Sequence, residues 1–245
     1  MNLAIDIGNT RTKVAVYENN IILNIEIFEQ IYFRKKIQNL ISNSNKKPNI
    51  ILTTVKNFSN DDEKWLSEIS TLTIINSKTP LPFVNKYSTP ETLGIDRRVL
   101  ASGAVLKFPN QNRLIIDAGT CITYDFVTAN DEYLGGAISP GINLKYKSLN
   151  DYTDKLPLLS LIETHDVIGN STNNSIHSGI INATLLEVDG FINSYINDFQ
   201  NLTVILTGGD ADFLAKRLKN TIFANPNFLL ESLIMLYQHI IDHDK

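Results

Sequence analysis

Cysteine is nearly absent: Cys121 is the only one in 245 residues. No intramolecular disulfide can form, and a reducing compartment is the natural setting for such a chain. Positive charge is not in excess either. Against 26 Asp and Glu stand 22 Lys and Arg, a net charge of −4, which argues against the clustered positive field that nucleic acid or an anionic membrane surface requires. The run Arg34-Lys35-Lys36 is too short to reverse this and reads as a solvated helix face. No apolar stretch approaches the roughly 20 residues of a membrane span. Asp6 and Arg11 interrupt the start of the chain where an export leader would need an apolar segment. Histidine is scarce, and His165, His177, His239 and His243 show no metal-ligand spacing. These absences lead to the expectation of a soluble cytoplasmic protein with no nucleic-acid and no membrane partner.

What is present is ordinary globular composition, 43% hydrophobic and 20% charged, in a chain long enough for one large domain or two small ones. Its organising stretch is Leu3 to Val16. An apolar run, Leu3 to Ile7, carries one carboxylate, Asp6; a Gly8-Asn9-Thr10 turn follows, then a β-branched run from Thr12 to Val16. This predicts a hairpin with a carboxylate beside its turn. A buried Asp is costly without a partner. Gly8 permits close backbone approach, Asn9, Thr10 and Thr12 offer donors, and Lys13 adds a positive charge, a combination suited to a metal-chelated polyphosphate. Taken alone, the hairpin is equally a β-turn capped by its Asp with a solvated Lys.

The remaining elements are predicted in order. A third strand covers Ile21 to Phe28, a helix Ile31 to Ile41, a polar loop Asn43 to Pro48 and a strand Ile50 to Val55. A helix over Asp61 to Ile69, capped by Asn60, and a strand over Leu72 to Ile75 complete an α/β layer. An irregular stretch with Pro80, Pro82 and Pro90 carries Tyr87 and gives way to a helix over Ile95 to Phe108. The Pro109 to Asn112 loop reads as a boundary, giving domains 1–111 and 112–245. Beyond it the pattern starts again. An offset of 111 carries Asp6 to Asp117, Gly8 to Gly119, Thr12 to Thr123, and Ile22 and Ile27 to Tyr133 and Ile138. The second half then predicts a Gly135-Gly136 to Pro140-Gly141 passage into a helix, a long helix from Asn173 to Phe199 with a possible break near Gly190, and a strand over Leu202 to Leu206. That strand runs into Thr207-Gly208-Gly209-Asp210; helices over Ala211 to Leu218 and Phe228 to Ile241 follow.

Five motifs occur in series: Asp6-Ile7-Gly8-Asn9-Thr10 with Lys13, Gly94-Ile95-Asp96-Arg97, Asp117-Ala118-Gly119-Thr120, Gly135-Gly136 with Pro140-Gly141, and Thr207-Gly208-Gly209-Asp210. In order and rough spacing the chain resembles the type III pantothenate kinases. The resemblance implies two ribonuclease-H-like domains of the acetate/sugar kinase, chaperone and actin type, with the active site in the cleft between them. It implies ATP-dependent phosphorylation of pantothenate, the first step towards coenzyme A. In this likeness Asp6, holding Mg²⁺ through water, and Gly8, Asn9, Thr10, Arg11, Thr12 and Lys13 form the ATP phosphate cradle. Thr120, Gly208 and Gly209 add ATP contacts, and Asp117 is the ligand of a monovalent cation, K⁺ or NH₄⁺. Asp96 is the group that accepts the proton of the pantothenate hydroxyl. Tyr87, Gly94, Ile95, Asp96, Arg97 and Thr172 bind pantothenate, with Thr164, Ser171 and Ser175 as local alternatives to Thr172. A homodimer sharing its sites is implied as well.

Without that likeness, Gly94 to Arg98 reads as a helix start with an acidic first turn and two solvated arginines. Cys121 is expected to be a buried bystander. Two functions compete: a kinase of another small alcohol, which would keep Asp6, Lys13 and Asp117 and against which only Tyr87, Arg97 and Thr172 speak, and a non-catalytic transcriptional accessory protein of the same family, against which the intact Asp6, Lys13 and Asp96 count.

Overall fold

A computed structural model describes residues 1–42, 46–56, 58–163 and 166–243. The predicted loop at Asn43 to Pro48 falls partly, and Thr164 and His165 fall wholly, outside the described residues. Up to Lys107 the chain forms β1 (Asn2–Ile7), β2 (Thr12–Glu18), β3 (Ile21–Phe28), α1 (Phe33–Ile41), β4 (Asn49–Thr54), α2 (Asn60–Ile69), β5 (Thr71–Ile74), β6 (Val84–Asn85) and α3 (Ile95–Lys107). It continues as β7 (Asn112–Ala118), β8 (Cys121–Val127), β9 (Glu132–Pro140), α4 (Ile142–Asp151), α5 (Thr172–Asp198), β10 (Leu202–Thr207), α6 (Ala211–Ala215), β11 (Phe223–Ala224) and α7 (Phe228–His243). Two compact units result, one of Met1–Pro109 with Asn227–Lys245 and one of Asn110–Pro226.

In the first unit the strands lie in the order β3-β2-β1-β4-β5. β1, β2 and β3 pair antiparallel, whereas β4 and β5 join parallel to β1. Period-2 alternation divides the sheet. Leu3, Ile5, Ile7 and Val14 pack with Phe33, Ile37 and Leu66 of α1 and α2 on one face. α2 is capped by Ser59, whose side chain accepts from Asp61 N, so the cap lies one residue before the expected Asn60; Asp61, Asp62 and Glu63 then favour the positive end of the helix dipole. The opposite face carries Ala4, Asp6, Ala15 and Thr53 and meets α3 and α7. Those two helices cross closely, since a β-carbon on Gly103 would stand 1.9 Å from Ser232 Oγ. The last helix thus packs with the first unit, whereas the sequence pattern had grouped it with 112–245.

In the second unit the order is β11-β10-β7-β8-β9. Again three antiparallel strands are extended by parallel ones. Leu114, Ile116, Ala118, Ile122 and Tyr124 pack under Ile142, Tyr146, Ile176, Ile180, Val188 and Ile192 of α4 and α5. α5 runs unbroken over 27 residues through Gly190. The cost of an interior glycine, about 1 kcal/mol relative to alanine, is offset by the buried Val188 and Ile192 on either side. α6 stops at Ala215, short of the predicted Leu218.

The repeat holds with one correction. Asp6 pairs across the hairpin with Lys13, and Asp117 with Thr123. Because the second turn is one residue shorter, Thr123 is the counterpart of Lys13 and not of Thr12.

Candidate active site

The first hairpin presents Asp6 between Lys13 on β2 and Thr53 on β4, all three on one side of the sheet by register. Gly8 N donates to Arg11 O at 3.1 Å and closes the turn, leaving Asn9, Thr10 and Arg11 exposed. Thr12 pairs with Ile7 and is fully buried. Its hydroxyl therefore leaves the sheet on the core face, away from Asp6, and only its backbone is turned to the hairpin end. Burial pushes the Asp6 carboxyl up to about 7; Lys13 opposes that shift and the negative charge of Asp96 adds to it. Two carboxylates and one lysine thus share a field in the first unit.

Asp96 stands in the first turn of α3, where Arg97 N donates to its Oδ1 at 2.8 Å. Gly94 precedes the helix, and a β-carbon there would lie 2.5 Å from Asp96 Oδ1. The carboxylate is thus set by the bend of its own helix start. Arg97 and Arg98 are 6% and 4% exposed, so neither is a solvated arginine of a plain helix start. The Arg97 guanidinium lies 5.7 Å from the Tyr87 ring centre, in cation–π range. Arg98 donates to Leu93 O at 3.2 Å, Ser77 O at 3.1 Å and also Pro90 O. It ties the irregular 77–93 stretch, which carries Tyr87, to the helix that carries Asp96.

In the second unit Asp117 lies in register between Thr123 and Thr207. Gly119 N donates to Cys121 O at 2.9 Å, and Gly141 N to Thr120 O at 3.0 Å. A β-carbon on Gly141 would stand 2.1 Å from Gly119 O, which accounts for the glycine after Pro140. Thr120 is exposed at the turn, and Cys121 is exposed beside it, not buried as expected. Gly208 has φ +96°, and Asp210 N donates to Ala118 O at 3.0 Å, so the Thr207 to Asp210 segment lies against the Asp117 turn. Burial raises the Asp210 carboxyl above its ordinary value.

Thr172 is exposed at the first position of α5, and Ser171 caps that helix by accepting from Asn174 N at 3.3 Å. Ser175 Oγ donates to Gly169 O at 3.3 Å. Both alternatives to Thr172 within the described residues therefore have structural work already. His177 bonds the Tyr146 hydroxyl at 2.7 Å inside the second unit, and His239 and His243 stack on α7.

Sequence reasoning missed Thr53 and Arg98. Thr53 carried no motif, although its place in the buried β-branched run Ile50 to Val55 was visible. Arg98 was visible only as one of two adjacent arginines.

Two α/β units, each with a three-stranded antiparallel meander extended by parallel strands and an Asp-x-Gly turn, define the actin-like fold shared by sugar kinases and related ATP-binding activators. Among solved structures, a Campylobacter jejuni protein described as a Baf family transcriptional activator has a TM-score of 0.60 at 21% identity, covering 99% of this chain and 98% of that one. The activator of the 2-hydroxyisocaproyl-CoA dehydratase from Clostridium difficile, with bound ADPNP, has a TM-score of 0.56 at 15% identity, covering 99% and 96%. The family model "Type III pantothenate kinase" matches residues 2–194. A type III pantothenate kinase of Flavobacterium johnsoniae is 51% identical over 246 aligned positions, covering 100% of both chains. The chain belongs to the type III pantothenate kinase family. It is an ATP-dependent kinase of pantothenate in coenzyme A biosynthesis.

Proposed function

We propose that Asp96 accepts the proton of the pantothenate primary hydroxyl while Asp6, Lys13 and the Gly8 to Thr12 turn hold the ATP phosphates. The hydroxyl oxygen forms a bond to the γ-phosphorus, the bond from that phosphorus to the bridging oxygen breaks, and ADP leaves with the electron pair. Such transfer is mostly positioning and charge neutralisation. A carboxylate is a weak base for an alcohol, so Asp96 orients the hydroxyl and takes its proton late, an assistance of about 10² to 10⁴-fold. Arg97, beside Tyr87, offers the bidentate fork that suits the pantothenate carboxylate, with Gly94, Ile95 and Thr172 completing its contacts. Thr120, Gly208 and Gly209 serve the nucleotide. What supports this reading is the register pairing of Asp6 with Lys13, with the Asp96 charge near enough to raise the Asp6 carboxyl.

Mg²⁺ fits Asp6. The carboxylate is half-buried with Lys13 as the counter-charge on its register partner, and the Thr53 hydroxyl on the neighbouring strand has no hydrogen-bond partner among the described residues. When bound, the ion would neutralise phosphate charge. A monovalent cation, K⁺ or NH₄⁺, fits Asp117. Thr123 and Thr207 flank it in register, their hydroxyls buried with no hydrogen-bond partner among the described residues. An all-oxygen set with one negative charge suits such an ion.

We further propose a homodimer formed through the second unit. Val167 and Ile168, shortly before Thr172 in sequence, are 77% and 86% exposed, and Leu186 on α5 is 69% exposed, apolar side chains of a kind that an interface would cover. Light scattering at micromolar concentration tests it: a monomer would remove the shared site. Among the described residues no helix is long and apolar enough to cross a membrane. With one cysteine and net charge −4, a cytoplasmic enzyme without nucleic-acid or membrane partners is the reading these features support. The direct test of the activity is transfer of ³²P from γ-labelled ATP to pantothenate, with glycerol and glucose as control acceptors. Label on pantothenate alone is expected, and label on a control alcohol at equal rate would contradict the acceptor assignment.

A further inference from the structure

β4 runs buried and apolar through Ile50, Ile51 and Leu52, and then places a threonine. Thr53 is 1% exposed, and its Oγ1 has no hydrogen-bond partner among the described residues. Thr53 is the parallel register partner of Asp6, so the two side chains leave the sheet on the same side from backbones about 4.8 Å apart. Valine has the same branched shape and would fill that position without stranding a hydroxyl. A polar group has thus been kept, at a cost, beside the carboxylate that serves the phosphates.

The arrangement occurs twice. Thr207 is the parallel register partner of Asp117, is 1% exposed, and likewise has an Oγ1 without a partner among the described residues. The residues on the other side of each carboxylate differ, Lys13 in one unit and Thr123 in the other. The parallel-strand hydroxyl accompanies the carboxylate even where the rest of its surroundings has changed.

We propose that Thr53 is a positioning residue of the phosphoryl-transfer site, its hydroxyl on the neighbouring strand donating to the Asp6 carboxylate when the metal–nucleotide is bound. One carboxylate oxygen is thereby held, and the other is left to face the metal–nucleotide. The branched side chain has few χ1 choices, which keeps the donor aimed. This inference rests on the role proposed above for Asp6.

The test is calorimetric titration of the full chain with adenylyl imidodiphosphate, a non-hydrolysable ATP analogue, in excess Mg²⁺ and again in EDTA. The ratio of the two affinities is the metal-dependent gain. Thr53→Val is expected to cut that gain about tenfold, close to 1.4 kcal/mol, while leaving the EDTA affinity within about twofold. Thr53→Ser should keep the gain, and the melting temperature of Thr53→Val should be unchanged or higher because the stranded hydroxyl is gone. If Thr53→Val does not fold, Thr53→Ala is read against Thr53→Ser in its place. A wild-type gain in Thr53→Val overturns the proposal, as does an equal loss with and without Mg²⁺. Asp6→Asn separates the two levels: a gain lost there but intact in Thr53→Val refutes Thr53 alone, and a gain intact in Asp6→Asn refutes the Asp6 assignment together with this inference.

Discussion

Gly208 lies so close to Asp117 that a β-carbon on it would stand 2.4 Å from Asp117 Oδ1 and 2.3 Å from Ala118 O. Its φ of +96° is a backbone conformation that other residues rarely adopt. Both facts bind the Thr207 to Asp210 glycine motif to the Asp117 turn.

Gly208→Ala is therefore expected to displace the motif from the turn. The strained φ alone costs on the order of 1–3 kcal/mol, and the clash with backbone at Ala118 adds to it. Calorimetric affinity for ADP should fall by at least about tenfold, with a lower melting temperature. Gly209→Ala, whose β-carbon would meet nothing within 4 Å, is the control and should melt like the wild type.

Asp6 sets a pH dependence. Its carboxyl titrates at about 7 in the folded chain against 3.8 as the ordinary value, so between those values the folded state holds a proton that the unfolded state has released. The ligand-free protein should lose stability from this group as pH rises from about 4 to about 7. In the role proposed for it Asp6 meets Mg–nucleotide as the charged carboxylate, so affinity should rise over the same window and level off above it, with proton release seen as a buffer-dependent calorimetric enthalpy. Asp6→Asn should flatten the stability slope in thermal melts. An unchanged slope in that variant would assign the effect elsewhere.

The adjacent arginines should separate cleanly. Arg98 is a buried cation held by backbone carbonyls, and Arg98→Ala should cost about 2–4 kcal/mol of stability in denaturant melts, leaving those carbonyls unpaired. Arg97→Lys keeps the charge and loses the fork. It should raise KM for pantothenate about tenfold or more, a loss of at least 1.4 kcal/mol, while KM for ATP and the melting temperature stay near wild type.

The two hairpins and most helices were legible because their periodicity and turn residues are local. The attachment of Phe228–His243 to the first unit was not, since a broad apolar face states that a helix is covered without stating by what. The two-residue strands Val84–Asn85 and Phe223–Ala224 are too short to show any period. The candidate site could be proposed from sequence where a motif is contiguous, as at Asp6 to Thr10 or Gly94 to Arg97. It was illegible where it depends on register: the facing of Thr12 away from Asp6, the equivalence of Lys13 with Thr123, and the parallel placement of Thr53 and Thr207 all require knowing which strands pair and how long each turn is. Arg98 escaped notice for a related reason, because its partners at Ser77 and Pro90 become neighbours only once the irregular stretch has folded back on α3.

The most direct measurement is coupled ADP release with Mg–ATP, adding pantothenate and then K⁺ in turn, on the wild type and on Asp96→Asn. Turnover that requires pantothenate, rises with K⁺ and falls by about a hundredfold or more in Asp96→Asn is the predicted result, in line with general-base assistance of that order. Equal pantothenate-dependent turnover in Asp96→Asn would contradict the role given to Asp96, and ATP hydrolysis indifferent to pantothenate would contradict the account of the site as a whole.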